Sequence, residues 1–348
     1  MANLGKAGPG LMGAVYSSLG RKSGKLLVGP RRGSDNAVIS IGGGKVMVLT
    51  VDPVSIIPEL GMGLSAWMSV HLIASDYATS GLSPEYATFS FDFPEELGEG
   101  DKAQYLRAIG RECRALGIAI AAGHTGTYPG SGFTIVGAGT MFGFGRMGGF
   151  VDPSMARPGD AVYVTKGAGL EAAASLALSF PRLVETSVGR GLASKARSLV
   201  SQCSTVADAK AAAKAGLGRG RVTSMHDATE GGVLGGLEEM AAASGNAFHV
   251  DTGAIPVSRE AGAVCRAFGL DPLRSLSEGT LLITCGRAGA PSLERELAGA
   301  RIPAARVGTV KTGEGLWATG KGGRARKVRH SGDLYWEAYA AASRGDQG

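Results

Sequence analysis

The sequence predicts two α+β domains. Three observations carry this. β-rich runs alternate with amphipathic helical stretches along the whole chain; a Pro- and Gly-containing break, "DPSMARPGD" (152–160), interrupts the alternation; and 348 residues exceed what one core usually needs. The division falls at 1–153 and 154–348.

In order, residues 1–26 read as a glycine-rich arm with a short helix in "LMGAVYSSLG". "NAVISIGGGKVMVLTVD" (36–52) reads as two strands around a turn at Gly42–Gly44. A helix spans 63–81, "EYATFSFDF" alternates as a strand, and 100–117 is an amphipathic helix. "IAIAAGHTG" reads as a buried strand running into a loop, and "FTIVGAGTMFGFG" as a further strand. Past the break come the strand and turn "AVYVTKGAG", Ala-rich helices over 170–215 and the segment "SMHDATEGGVLGGLEEM" (224–240). After it follow "NAFHVDTGAIPV", the helix "SREAGAVCRAFG", the strand "SEGTLLITCG", the helix "LERELAG" and "ARVGTV".

Composition narrows the function classes. With 57 glycines and 6% aromatics, many tight turns and close backbone approaches are expected. A net charge of +6 permits an anionic ligand, but outside the tail "GKGGRARKVRH" (320–330) the basic residues are scattered, so nucleic acid is not an expected partner. Cys113, Cys203, Cys265 and Cys285 form no CxxC, and no secretory leader or membrane-length apolar run is read, so reduced thiols and a cytoplasmic location are expected.

Nucleotide-binding loops of the common kinds are missing. "GRKSGKL" lacks the P-loop spacing and its hydroxyl, and "GFGRMG" (143–148) matches GxGxxG without the strand–helix context, as a glycine-rich strand end does. Acids at element ends say more. Asp35, Asp52 and Asp76 each end or precede an element, and the loop 121–130 sets His124 and Thr125 among glycines. Hard Mg²⁺ takes carboxylate oxygens, and phosphates take glycine amides and the metal. In 224–240 a helix is expected from Thr229, capped by Asp227 or Thr229, with Val233, Leu234, Leu237, Met240 and Ala241 on its apolar face and Glu238 and Glu239 on the other. Gly231 and Gly232 predict a close approach to the backbone there. His124 and His226 alone are too few ligands for a zinc site.

These motifs, in this order from about 27 to 310, resemble the aminoimidazole-ribonucleotide (AIR) synthetase-like superfamily, and within it the hydrogenase-maturation factors of the HypE type. The resemblance implies a ferredoxin-like N-terminal domain whose sheet pairs with a second copy's as a barrel, making a homodimer, and a C-terminal α/β domain. It implies ATP and Mg²⁺ in the cleft and ATP-dependent phosphorylation of an oxygen on a small acceptor. By position, Asp35, Asn36 and Ala37 match one element; Asp52 matches the Thr-Asp metal element with Val51 for threonine; Asp76 matches the Asn-Asp element with Ser75 for asparagine. Gly123, His124, Thr125 and Gly126 match the Gly-Asp-Thr loop, with a histidine for its carboxylate. Asp227, Ala228, Thr229, Glu230, Gly231 and Gly232 match Asp-Pro-Thr-Arg-Gly-Gly, with Glu230 reversing a charge.

The resemblance therefore makes Asp35, Asp52 and Asp76 the metal ligands. Asn36, Ala37, Gly123–Gly126, Thr229, Gly231 and Gly232 become the nucleotide contacts, and Asp227, Glu230 and Glu278 the catalytic acids. The helix start at 229 is expected to present its amides to a phosphorylated group. The final cysteine is Cys285, so the carbamoyl-carrying C-terminal cysteine of HypE-type proteins is not expected. A thiamine-phosphate-kinase-like enzyme and a nucleotide-binding scaffold without turnover are the alternatives.

Overall fold

The computed structural model describes residues 5, 7–320, 323–328 and 332–345, so part of the basic stretch 320–330 lies outside the described residues. Six strands build the first sheet: β1 (Leu26–Val28), β2 (Ala37–Gly42), β3 (Lys45–Ser55), β4 (Tyr86–Phe93), β5 (Ala119–Thr127) and β6 (Ile135–Arg146). Their order is β1-β2-β3-β6-β4-β5, with β4 and β5 the parallel pair. Helix α1 (Pro9–Ser17) precedes them, and α2 (Gly61–Ala78) and α3 (Glu99–Ala115) lie between strands.

Strand alternation decides which face is covered. Val46 and Val48 of β3 and Phe89, Phe91 and Phe93 of β4 join Val70, Ile73 and Tyr77 of α2 and Tyr105 and Ile109 of α3 in one core. The other face leaves Val51 (61%), Ile135 (53%), Ile120 (48%) and Phe144 (42%) in solvent. The glycines of β6 serve packing: a Cβ on Gly143 would stand 2.6 Å from the Tyr77 hydroxyl, which accounts for "GFGRMG" without a nucleotide. One expectation fails here. "IAIAAGHTG" is neither buried nor a loop: β5 continues through Thr127 as the last strand of its sheet, exposed along almost all of its length.

The second sheet has seven strands: β7 (Ala161–Thr165), β8 (Val222–Asp227), β9 (Ala247–Asp251), β10 (Leu281–Cys285), β11 (Ala304–Lys311), β12 (Gly315–Thr319) and β13 (Ala325–Lys327). They run in the order β13-β12-β9-β11-β7-β10-β8. Residues of β7 and β10 are buried throughout, because helices cover both faces. On one side lies α8 (Gly232–Ser244); on the other lie α7 (Val206–Lys214) and α10 (Ala290–Gly299). A third cluster joins α4 (Leu170–Ser179), α5 (Pro181–Val188), α6 (Arg190–Ser198), α9 (Arg259–Ala267) and α11 (Tyr335–Gly345). All four cysteines are buried and free. Among the described residues, no helix is long and apolar enough to cross a membrane.

Polar contacts seam the two sheets' layers together. Thr205 N–H donates to Ser75 Oγ (2.9 Å), and His71 Nδ1 meets Ser204 Oγ at 2.9 Å. Asp152, buried in the connection between β6 and β7, accepts from the Ser34 hydroxyl (2.5 Å) and pairs with Arg31. This seam passes beside α2 and the C-terminal end of β8, where the acids collect.

Candidate functional site

Carboxylates from both halves of the chain converge at the seam. Asp35 precedes β2, Asp52 lies on β3, and Asp76 sits in the last turn of α2. Asn36 fixes this corner by donating from Nδ2 to Asp76 O and to Thr79 Oγ1, both at 2.8 Å. Thr50 Oγ1 donates to Asp35 O (2.7 Å), which ties the start of β2 to β3. From the other half come Asp227, the last residue of β8, and Glu278, in the approach to β10; they are 1% and 0% exposed.

Asp227 and Glu278 leave all four carboxyl oxygens without a hydrogen-bond partner. An orphaned buried carboxylate costs free energy, so such a group marks a place where a cation or proton belongs. Burial, then the charges of Asp227, Asp52, Asp35 and Glu278, push the Asp76 carboxyl well above its ordinary range. Burial and Asp35 lift Asp227 to about 6, against the opposing pull of His226. Glu278 rises through burial, then Asp227 and Glu171. An oxygen-rich, electron-rich donor set of this kind suits a hard divalent cation.

His226 is the cation already in place. Its Nδ1 meets Asp35 Oδ2 at 2.6 Å and its Nε2 meets Glu239 Oε2 at 3.0 Å. Burial alone would lower its pKa, but the Asp35 charge and the hydrogen bonds to both carboxylates hold it well above 6.5. Asp35, His226 and Asp227 bring ligand atoms within 4.8 Å of one another, yet both ring nitrogens of His226 face carboxylates, so it acts as a counter-charge. Glu239, expected on the face of α8 opposite its apolar stripe, reaches in to His226 instead.

The turn between β8 and α8 differs from expectation in where the helix starts and in what meets its amides, while the close approach at its glycines is as expected. α8 begins at Gly232, with Gly231 left-handed ahead of it and no side-chain cap, so Asp227 ends a strand and caps nothing. Asp227 and Glu230 both precede the helix. The close approach at Gly232 comes from this chain: φ is +60°, and a Cβ there would stand 2.7 Å from Ser275 O and 2.9 Å from Leu273 O. The Gly231 amide is also occupied, since it donates to Asp333 Oδ2 at 3.1 Å.

The other sequence-selected residues are placed as follows. Ala37 opens β2, and Thr229 O accepts from Gly232 N–H (3.0 Å) within the turn. Gly123, His124, Thr125 and Gly126 lie on β5, three strands from Asp52, or about 14 Å at ordinary strand spacing. There His124 Nε2 bonds the Tyr128 hydroxyl at 2.6 Å and is far from His226 in the sheet order.

Comparison with known proteins identifies the family. The AIR synthase related protein N-terminal domain model matches residues 33–144, and the corresponding C-terminal domain model matches residues 157–320. The chain belongs to the AIR synthase related family. Among similar proteins, the carbamoyl dehydratase HypE of Cupriavidus necator is 28% identical over 288 residues, 80% of this chain and 77% of that one. HypE of Rhizobium leguminosarum bv. viciae is 29% identical over 272 residues, 76% and 72% of the two chains. Among solved structures, E. coli HypE superposes with a TM-score of 0.67 at 25% identity, covering 83% of this chain and 87% of that one. The thiamine-phosphate kinase complexed with AMPPCP and TMP reaches 0.70 at 20% identity, covering 93% and 95%, which shows the shared fold.

Within this family fold, three site residues escape motif reading. Glu239 and Glu171 look like ordinary helix residues, though Glu171 is the one acid in the apolar run "LEAAASLALS" and so carried a signal. Asp333 lies 102 positions from the Gly231 amide it accepts from, and no local pattern announces that.

Proposed function

We propose that the protein binds ATP with Mg²⁺ and activates an oxygen of a small acceptor by phosphoryl transfer. The observation that carries this reading is the convergence of Asp35, Asp52 and Asp76 with Asp227 and Glu278, the last two buried with no partner for their oxygens. Asp35, Asp52 and Asp76 would hold Mg²⁺, which supplies charge to offset a polyphosphate. His226 holds Asp35 in position. Asp227, at about 6, is ionised at neutral pH yet basic enough to take the acceptor's proton. Glu278 stands beside Asp227 and can orient the acceptor; Glu230 borders the same turn.

The relatives support the reading in kind. One relative is a carbamoyl dehydratase, and solved structures of the fold include HypE in complex with ATP and ThiL complexed with AMPPCP and TMP. The reading includes a homodimer through the exposed face of the first sheet, where apolar side chains otherwise meet water. Gly123–Gly126 enter the nucleotide site only through that dimer, because within one chain β5 stands away from Asp52.

The test is incubation of the protein with ATP, Mg²⁺ and a fractionated extract of small metabolites. Acceptor-dependent ADP or phosphate release is expected. Tight ATP binding with no release from any fraction identifies a nucleotide-binding scaffold instead.

A further inference from the structure

A second group of acids lies beyond the proposed metal corner. Glu171 is the second residue of α4, Glu230 lies in the turn before α8, Glu278 precedes β10 and Asp333 precedes α11. Four separate segments supply them. The Glu278 N–H donates to Glu171 Oε2 at 3.3 Å, which sets these two glutamates side by side. Asp333 joins through the Gly231 amide, next to Glu230. Trp336 of α11 closes the group: a Cβ on Gly5 would stand 2.9 Å from its indole Nε1 and 3.8 Å from Glu230 Oε1, so ring and carboxylate border the same small space.

Acids that cluster at a surface need no ligand, but this group differs. Glu278 is 0% exposed with both carboxyl oxygens unpartnered, and Trp336 Nε1 is buried without an acceptor. Among the described residues no salt bridge reaches any of the four acids. The nearby Lys166 is engaged elsewhere, with Asp208 Oδ2 at 3.0 Å and the carbonyls of Gln202 and Ser204 at 3.1 and 2.8 Å.

We propose that Glu171, Glu230, Glu278 and Asp333 form an acceptor subsite for a cationic nitrogen group, a guanidinium or ammonium, and that Glu171 sets this specificity. The proposal rests on the phosphoryl-transfer reading of the adjacent metal corner. Backbone amides already meet Asp333 and one oxygen of Glu171, while both oxygens of the buried Glu278 stay unpartnered; four acids with no cation among them repel an anionic acceptor and leave a neutral amide's oxygen without a donor. A guanidinium brings five N–H donors and a full charge, and an indole beside it adds a cation–π contact. Burial, then the charges of Glu230, Asp333 and Asp52, lift Glu171 to about 8, and a bound cation relieves that strain on its ionised form.

Methylguanidinium and its neutral isostere methylurea are the probes, compared by saturation-transfer NMR on the full chain with and without AMPPCP–Mg²⁺. The expected result is binding of methylguanidinium on the order of tenfold tighter than methylurea. Glu171→Gln should bring that ratio close to one, while Glu171→Asp preserves it; a residue that only supports the fold would move both affinities together. Equal binding of the two probes, no binding of either, or a ratio that survives Glu171→Gln overturns the proposal. AMPPCP–Mg²⁺ affinity is measured by calorimetry on the same samples. Cation selectivity without nucleotide binding would defeat the phosphoryl-transfer reading alone, and nucleotide binding without cation selectivity would defeat this one alone.

Discussion

His226 Nδ1 and Asp35 Oδ2 meet at 2.6 Å across 191 positions of sequence, joining the C-terminal end of β8 to the segment before β2. The same imidazole reaches Glu239 on α8 at 3.0 Å. One buried side chain thus ties the first sheet, the second sheet and a helix, and fixes the aspartate proposed to hold metal. Structure and site are coupled through it.

Removing His226 leaves two carboxylates facing a void. Breaking a buried ion pair from one side costs about 3 kcal/mol or more, so His226→Asn should lower stability by about that amount near pH 6. The folded-state pKa of His226 lies above the ordinary 6.5. Its contribution is therefore complete below pH 6.5 and is lost as pH rises through the folded value. Urea midpoints of wild type and variant should converge in alkaline buffer; a constant gap across pH would show that charge plays no part.

Asp52 offers the cleanest test of the metal corner, being neither the partner of His226 nor among the fully buried acids. Asp52→Asn should weaken ATP–Mg²⁺ binding at least about tenfold while leaving metal-free ATP binding nearly unchanged. Calorimetry with and without Mg²⁺ separates the two. Equal affinities in the presence of Mg²⁺ would remove Asp52 from the site.

Much of this was legible in the sequence, and the failures have physical causes. Periodicity and turn residues found the hairpin β2–β3, helices α2 and α3 and the buried strands β7 and β10, because each is specified by its own neighbours. Acids at element ends singled out Asp35, Asp52 and Asp76, and the resemblance added Asp227, Glu230 and Glu278; the fold sets Asp227 and Glu278 beside Asp76, while their roles are proposals. What failed was tertiary. "IAIAAGHTG" is apolar enough to read as buried, yet β5 is the last strand of its sheet and its side chains face out. Asp227 has a cap's composition, but the left-handed Gly231 follows four residues later and the helix begins only at Gly232, where a side chain would collide with Ser275 O and Leu273 O. The partners of His226 and of the Gly231 amide lie 191 and 102 positions away, beyond any window.

The exposed apolar face of the first sheet predicts self-association. Val51 is 61% and Ile135 53% exposed on neighbouring strands β3 and β6, unusual for apolar side chains on a sheet. Light scattering at micromolar concentration should give a dimer's mass. Val51→Lys with Ile135→Lys should give a folded monomer with unchanged circular dichroism. A monomeric wild type would refute the dimer, and with it the route by which Gly123–Gly126 enter the site.

Asp227 tests whether the buried acids are kept for chemistry at the expense of stability. Its folded pKa of about 6 stands above the ordinary 3.8. Below 3.8 the carboxyl is neutral in both states and nothing is lost. Between the two values stability falls as pH rises, and above about 6 the loss is complete, on the order of 2–3 kcal/mol. Asn matches the neutral acid in shape, so Asp227→Asn should be more stable than wild type by that amount at pH 8 without divalent ions, and no different near pH 3.5. Mg²⁺ should narrow the gap by stabilising the wild type selectively. Turnover with the eventual acceptor should fall by about 10²–10⁴, the range for losing a general base. Thermal unfolding at both pH values, with and without Mg²⁺, reads the first part, and ADP release reads the second. A variant that is less stable at pH 8 in chelator, or that keeps full turnover, would make Asp227 a structural residue and move the chemistry to Glu278 or Glu230.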